Sequence, residues 1–484
     1  MTITTIEARY NSTGLIHYDG NPLIEALPPI IDDDSFLVSK IMARPDLPST
    51  AELALPPKIR SHCVGRIKSA VMPLWIHVEF EAAFAELIRQ GYTARHPFHR
   101  NTVAMRHAET DEQLRYSGFK SSADTLMLVG LSGMGKTTLL DAVVKLYPQV
   151  ILHSSYQGSA FVNPQVVWLK IECPHDGSAK GLCAAFFSAL DAALGTQYYQ
   201  QFMTARATVS LLLQRMSNIC RAYYIGALII DELQHLNSAK EGDDQKRLLN
   251  FFVKLANESG VPIVLSGTNA MVKLFGRVVR NARRAIGMGQ YDFDRFAYDD
   301  DEWAALVDYL WAYNWSLPST VLTEEIKATI YDLTQGNTDF LVKLLSITQR
   351  QAIYDEKPVS AEMLREVYSK RMIILHKAIE ALRSGDPDQI EHFEDMMPMK
   401  YQIAQMMEYD RRRQANRRLD MKLYTSGTDG NYLDTAEPCV PPATTPLAEV
   451  PSTKRSDIAS TIANSDDWEA AMKELGLTGQ SKHF

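Results

Sequence analysis

Eight consecutive residues, Gly130-Leu131-Ser132-Gly133-Met134-Gly135-Lys136-Thr137, have the types and spacing of a grip for phosphates. They match the pattern G-x-x-x-x-G-K-[ST] at every position. Gly130, Gly133 and Gly135 let the backbone fold around an anion with its N–H groups turned inward. Lys136 brings a point charge to the β- and γ-phosphates, and the Thr137 hydroxyl is a ligand for Mg²⁺. Thr138 continues into a helix whose positive N-terminus faces the same phosphates. A second stretch, ALIIDELQHL at 227–236, supplies the complementary chemistry. Asp231 emerges at the end of an apolar run and can hold the metal through its waters. Glu232 can orient and deprotonate an attacking water.

These groups need elements to place them. TLMLVG (125–130) is expected to be a strand that stops at Gly130, and Leu139, Leu140, Val143 and Val144 make a buried helix face after it. Further strands are expected at QVVWLKIE (165–172), GALIID (226–231), PIVLSG (262–267) and GQYDF (289–293). Their alternation with helical segments predicts a parallel sheet sandwiched by helices. From about 300 to 375 the pattern is wholly helical. Before the core, FEAAFAELIRQGY (80–92) predicts a helix with Phe80, Phe84, Leu87 and Ile88 on one side and Gly91 closing it. The Pro-rich stretches LPPIIDDDS and RPDLPSTAELALPPKIR are expected to be extended.

This divides the chain into an N-terminal targeting or partner-binding region (1–105), a nucleotide-binding core (106–297), a helical lid (298–375) and a basic helical extension (376–423). A flexible linker (424–464) rich in Thr, Ser, Gly and Pro follows. A terminal segment (465–484) has Ser465 as a helix cap and Trp468, Met472 and Leu475 as a short apolar stripe. A stripe this short cannot fold alone, so it is expected to dock on a partner, the alternative being that it folds back on the chain's own core.

Length and composition bound the remaining classes. A chain of 484 residues allows about two to four domains. No apolar run of about 18 residues predicts a membrane span, and the first residues lack the pattern of a signal peptide. Five scattered cysteines without a CxxC pair suggest a reducing cytosol. Cys173, His175 and Cys183 lack the second pair that a structural zinc site needs. The net charge of −8 argues against coating nucleic acid through overall charge, although a local basic track remains compatible with it.

The octet, the DELQHL stretch and VPIVLSGTNA together resemble the AAA+ ATPases. The resemblance implies an α/β fold: a P-loop NTPase core, a parallel sheet between helices, with an α-helical lid, an N-terminal extension and a flexible C-terminal tail. It implies ATP and Mg²⁺ as cofactors, and a slow, regulatory ATPase activity. It places the VPIVLSG strand between the TLMLVG and ALIID strands. Thr268 and Asn269 then match the polar sensor of the attacking water, and Asn269 is favoured because an amide donates and accepts at once. Arg283 and Arg284 match the arginine that reaches a neighbour's nucleotide, with Arg277 and Arg280 as rivals. An arginine acting in trans implies an oligomer with its sites between subunits. The lid turn TQGNTDF departs from the family: Thr338, Asp339 and Phe340 stand near the usual arginine position, with Lys343 one turn on.

Among AAA+ proteins, GLSGMGKTTLL, LIIDELQHL, LSGTNA with the arginine cluster, and the helical lid most resemble the TniB/TnsC transposition regulators, over about residues 60 to 375. That resemblance implies a bacterial, cytoplasmic, ATP-dependent adaptor. It assembles on double-stranded DNA as a hexamer- or heptamer-like ring or helical filament. It receives a target-selection protein of the TniQ/TnsD kind, and recruits the transposase and its associated nuclease. Lys180 and Ser178 are the candidate DNA-phosphate contacts. The stripe of Trp468, Met472 and Leu475 is then expected to dock on the transposase or its partner nuclease. Arg411, Arg412, Arg413, Arg417 and Arg418 form no single stripe, so they predict a solvated helix partly paired with Glu408 and Asp410, with a phosphate or partner contact as the other reading. Two other readings are an AAA+ initiator or loader-type ATPase outside transposition, and a nucleotide-switched scaffold that does not bind DNA.

Overall fold

The computed structural model describes residues 4–108, 110–238, 242–275 and 287–386, together with 389, 390 and 393. Arg277, Arg280, Arg283, Arg284, the arginines of 411–418, and Trp468, Met472 and Leu475 lie outside the described residues.

The eight strands described are β1 (Thr5–Glu7), β2 (Thr125–Gly130), β3 (Val150–Tyr156), β4 (Ser159–Val166), β5 (Trp168–Glu172), β6 (Ala227–Asp231), β7 (Ile263–Gly267) and β8 (Gln290–Phe293). Five of them make a parallel sheet in the order β5-β6-β7-β2-β8. The strand carrying VPIVLSG therefore lies between the other two, as the family resemblance implies. Both faces of this sheet are covered, so its strands are continuous apolar runs rather than alternating ones. Leu126 and Leu128 of β2, Ile229 of β6 and Val264 of β7 point into one core. Met127, Val129, Leu228, Ile230, Ile263 and Leu265 point into the other.

The helices that cover the sheet follow from their own sequences. The first core receives α1 (Trp75–Thr93) and α2 (Lys136–Val144). Phe80, Phe84, Leu87 and Ile88 are fully buried on one side of α1, as expected from their spacing. The second core receives α3 (Ala179–Leu194), α4 (Val209–Ala222) and α5 (Gly242–Ser259). The helical region is α6 (Asp301–Trp311), α7 (Glu324–Thr334), α8 (Thr338–Asp355) and α9 (Ala361–Arg371), followed by α10 (His376–Ser384). Asp300, Thr323, Asn337 and Ser360 each cap one of these, their side chains accepting first-turn backbone N–H groups. No described helix is long and apolar enough to cross a membrane.

Three local expectations change. Gly91 does not close its helix; α1 runs on to Thr93. A Cβ at Gly91 would sit 2.2 Å from Pro262 Cγ, so the glycine is there to let the start of β7 approach. Gly91→Ala is expected to destabilise the fold by about 1–3 kcal/mol through overpacking, read as a lowered melting temperature. The stretch RPDLPSTAELALPPKIR holds two short helices, Thr50–Leu53 and Pro57–Cys63. Pro57 occupies a first-turn position, where its missing N–H is no loss. Finally, QVVWLKIE is divided: Gln165 and Val166 end β4, and Trp168 begins β5.

A second, three-stranded sheet joins the N-terminus to the core. β1 pairs parallel with β3, and β3 pairs antiparallel with β4. Gln157 and Gly158 turn the hairpin with φ of +47° and +80°, as a two-residue turn with both central residues left-handed requires. Most of the buried apolar side chains among the first hundred residues share one core with α2 and the lid helices.

Candidate nucleotide site

The octet forms the turn between β2 and α2. Gly133 and Gly135 hold φ of +82° and +104°, which residues with a Cβ rarely adopt. Gly135 is the N-cap of α2, and no side chain caps the helix. Its first-turn N–H groups are thus available to an anion. Lys136 is buried, and its Nζ donates to the carbonyls of Gly130 at 2.9 Å and Leu131 at 2.8 Å. The ammonium is therefore held inside the loop rather than extended into solvent.

Asp231 ends β6 next to this loop and is almost wholly buried. Thr137 Oγ1 donates to its Oδ2 at 2.9 Å, while Ser266 Oγ donates to its Oδ1 at 2.8 Å and Glu232 N at 3.0 Å. Lys170 of β5 reaches Asp141 at 2.5 Å and lies 3.8 Å from Asp231 Oδ2. Thr137 and Asp231 are thus adjacent oxygen donors of the kind a hard divalent cation takes, with phosphates and waters to complete its shell. They fit Mg²⁺, which would link the triphosphate to β6. Among the described residues no group of three or more His, Cys, Asp or Glu side chains could hold a metal alone. Burial pushes the Cys173 and Cys183 thiols up to about 12.

Residues 132–138 line a cleft of about 480 Å³ together with Glu232 and Thr268 on one side and Thr338, Asp339, Val342 and Lys343 of α8 on the other. Thr268 stands at the tip of β7. Asn269 is buried beside it, and its Nδ2 lies 3.4 Å from Asp294 Oδ1. The apolar end of the cleft was not foreseen. Ile67, Met72, Leu74 and His77 come from the N-terminal region, and Leu306 and Leu310 from α6. His77 Nδ1 accepts from Leu74 N at 3.2 Å, and burial pulls its imidazole down to about 4. A neutral ring among aliphatic side chains suits a nucleobase, but apolar contacts follow no fixed sequence spacing. A larger cleft of about 860 Å³ beside β8 suits phosphates poorly. Glu79, Glu86, Asp292, Asp294, Asp300 and Glu302 line it, so a polyphosphate would be repelled there.

The lid touches the phosphate loop directly. Asn337 Nδ2 donates to Ser132 O at 2.8 Å, Thr338 Oγ1 to Gly133 O at 2.5 Å, and Asp339 N to Gly133 O at 3.0 Å. Lys343 pairs with Asp339 one turn along α8.

Residues 120–275, which hold the octet, Asp231, Glu232, Thr268 and Asn269, match the family model described as the AAA domain. This stretch of the chain is similar to AAA domains. Its parallel sheet between helices has the AAA+ P-loop NTPase fold. Among curated proteins none matches the chain. Solved structures similar to it include a Walker-type ATPase of Pyrococcus abyssi, at 13% identity and a TM-score of 0.36, covering 54% of this chain and 72% of that one. The Aeropyrum pernix ORC2 protein gives 14%, 0.35, 57% and 68%. Cdc6p of Pyrobaculum aerophilum gives 14%, 0.36, 56% and 66%.

Outside the nucleotide cleft, Ser178 caps α3 by accepting from Gly181 N at 3.1 Å, and Lys180 is exposed in its first turn. Neither Ser178 nor Lys180 is among the residues that line the nucleotide cleft.

Proposed function

We propose that this chain is a slow, ATP-dependent regulator of DNA transposition. It binds ATP with Mg²⁺ in the cleft between the AAA domain and the lid, assembles with copies of itself on double-stranded DNA, and links a target-selection protein to a transposase. The observation that carries the nucleotide-switch part is the three hydrogen bonds from Asn337, Thr338 and Asp339 to the carbonyls of Ser132 and Gly133. A ligand that reshapes the phosphate loop must also shift the start of α8, so nucleotide occupancy is converted into lid position. Support for transposition comes from the resemblance of DELQHL, GTNA and the arginines at 277–284 to the TniB/TnsC regulators.

In this reading Thr137 and Asp231 hold the metal, and Glu232 activates water with Thr268 or Asn269 beside it. Arg283 or Arg284 completes a neighbour's site. Ser178 and Lys180 meet DNA phosphates. The segment bearing Trp468, Met472 and Leu475 docks on the transposase or its nuclease. Electron microscopy of the full chain with long duplex DNA and a non-hydrolysable ATP analogue tests the reading. Rings or filaments that require both DNA and nucleotide are expected. Assemblies indifferent to DNA would instead identify a nucleotide-switched scaffold.

A further inference from the structure

The turn after β6 contains an amide whose two ends are both engaged at the nucleotide cleft. Gln234 lies in the 3-10 segment Leu233–Ser238 and is 8% exposed. Its Nε2 donates to Glu232 Oε2, and its Oε1 accepts the backbone N–H of Thr268 at 2.9 Å. One side chain therefore ties the carboxylate of Glu232 to the tip of β7. Gly267 makes room for it. A Cβ there would sit 2.5 Å from Gln234 Oε1 and 3.2 Å from Leu233 N. A second tether runs in parallel, from Asn237 Nδ2 to Ala270 O at 3.1 Å.

Glu232 needs such a hold. Its φ of +56° puts a residue with a full side chain in the left-handed region. Its backbone is fixed on both sides: the N–H donates to Asp231 Oδ1, and the carbonyl accepts from His235 N at 3.1 Å. The direction in which the carboxylate leaves that backbone is set by Gln234.

We infer that Gln234 is a positioning residue: it holds the Glu232 carboxylate at a fixed distance from Thr268, so that the water-activating group and the sensor at the end of β7 move as one unit. The inference rests on the ATPase reading of Glu232 given above. Glutamine suits the task because its amide offers a donor to the carboxylate and an acceptor to a backbone N–H at once. A glutamate there would set one carboxylate against another, and an apolar residue would serve neither neighbour.

The test is the turnover of the full chain with ATP and Mg²⁺. Gln234→Met keeps the length and bulk of the side chain but removes both hydrogen bonds. It should lower kcat about 10-fold or more, as misplacing a catalytic group does, with KM for ATP within about two-fold of the native value. In a Glu232→Gln background the same substitution should change the single-turnover rate by less than about two-fold, because the group it acts through is already gone. Native-like kcat in Gln234→Met overturns the inference, as does an equal loss in both backgrounds or a loss carried by KM. Its failure is separable from that of the parent reading. Native turnover that Glu232→Gln abolishes and Gln234→Met leaves untouched rejects Gln234 alone. A native chain without turnover rejects both together.

Discussion

Lys136→Ala is expected to abolish nucleotide binding and nucleotide-dependent assembly together. The side chain is buried, and its ammonium is held 2.9 Å and 2.8 Å from two loop carbonyls, at the place where the phosphates of a nucleotide would arrive. Charged hydrogen bonds of this kind contribute about 1.5–3 kcal/mol each, so losing the cation should weaken ATP binding by about 100-fold or more. A folding defect can be told apart from a binding defect by thermal unfolding. ATP at 100 times its Kd should stabilise the native chain by about 2.7 kcal/mol. The variant should show no such rise at the same ATP concentration. Its melting temperature without ATP should fall modestly, because the carbonyls of Gly130 and Leu131 lose a donor. A Lys136→Ala chain that still assembles on DNA with ATP would separate assembly from the nucleotide, and with it would go the switch that the contacts of Asn337, Thr338 and Asp339 describe.

The phosphate grip and the sheet around it were legible because their chemistry demands particular residues at particular intervals. Glycines in left-handed conformations, a lysine one step into a helix, and an acid at the end of a buried strand leave marks that survive without coordinates. The lid helices were legible for a related reason: each starts at an Asp, Thr, Asn or Ser whose side chain caps it. What was missed depends on approach between distant parts of the chain. Gly91 looked like a helix stop, yet its role is set by Pro262, which lies far along the sequence. Ile67, Met72, Leu74 and His77 form the apolar end of the cleft from a part of the N-terminal region where no local pattern marks them. Lys170 sits on a strand that looked purely structural, and only the register of β5 against β6 brings it near Asp231. The hairpin β3–β4 did have a signal, the Gln157-Gly158 pair between two partly alternating runs, and it went unused.

Glu232→Gln is expected to separate binding from hydrolysis. Glu232 lines the cleft with the phosphate loop but takes no part in the contacts of Thr137, Ser266 and Lys170 around Asp231. Glutamine has nearly the same shape and still offers an oxygen to the amide of Gln234, so the turn after β6 should keep its form. What is lost is a group able to take a proton from water. General-base contributions are about 10²–10⁴-fold, and kcat should fall by that amount while ATP affinity changes by less than about two-fold. Single-turnover hydrolysis with labelled ATP measures the first quantity, and nucleotide retained on the protein measures the second. With hydrolysis blocked and binding intact, DNA-bound assemblies should persist in the ATP state and outlast those of the native chain. Asp231→Asn should behave differently, because it weakens the charge that faces Thr137 and Lys170 and so lowers Mg²⁺-dependent binding itself. If Glu232→Gln hydrolysed ATP at the native rate, the base would have to lie elsewhere, and the left-handed backbone at Glu232 would have no catalytic purpose.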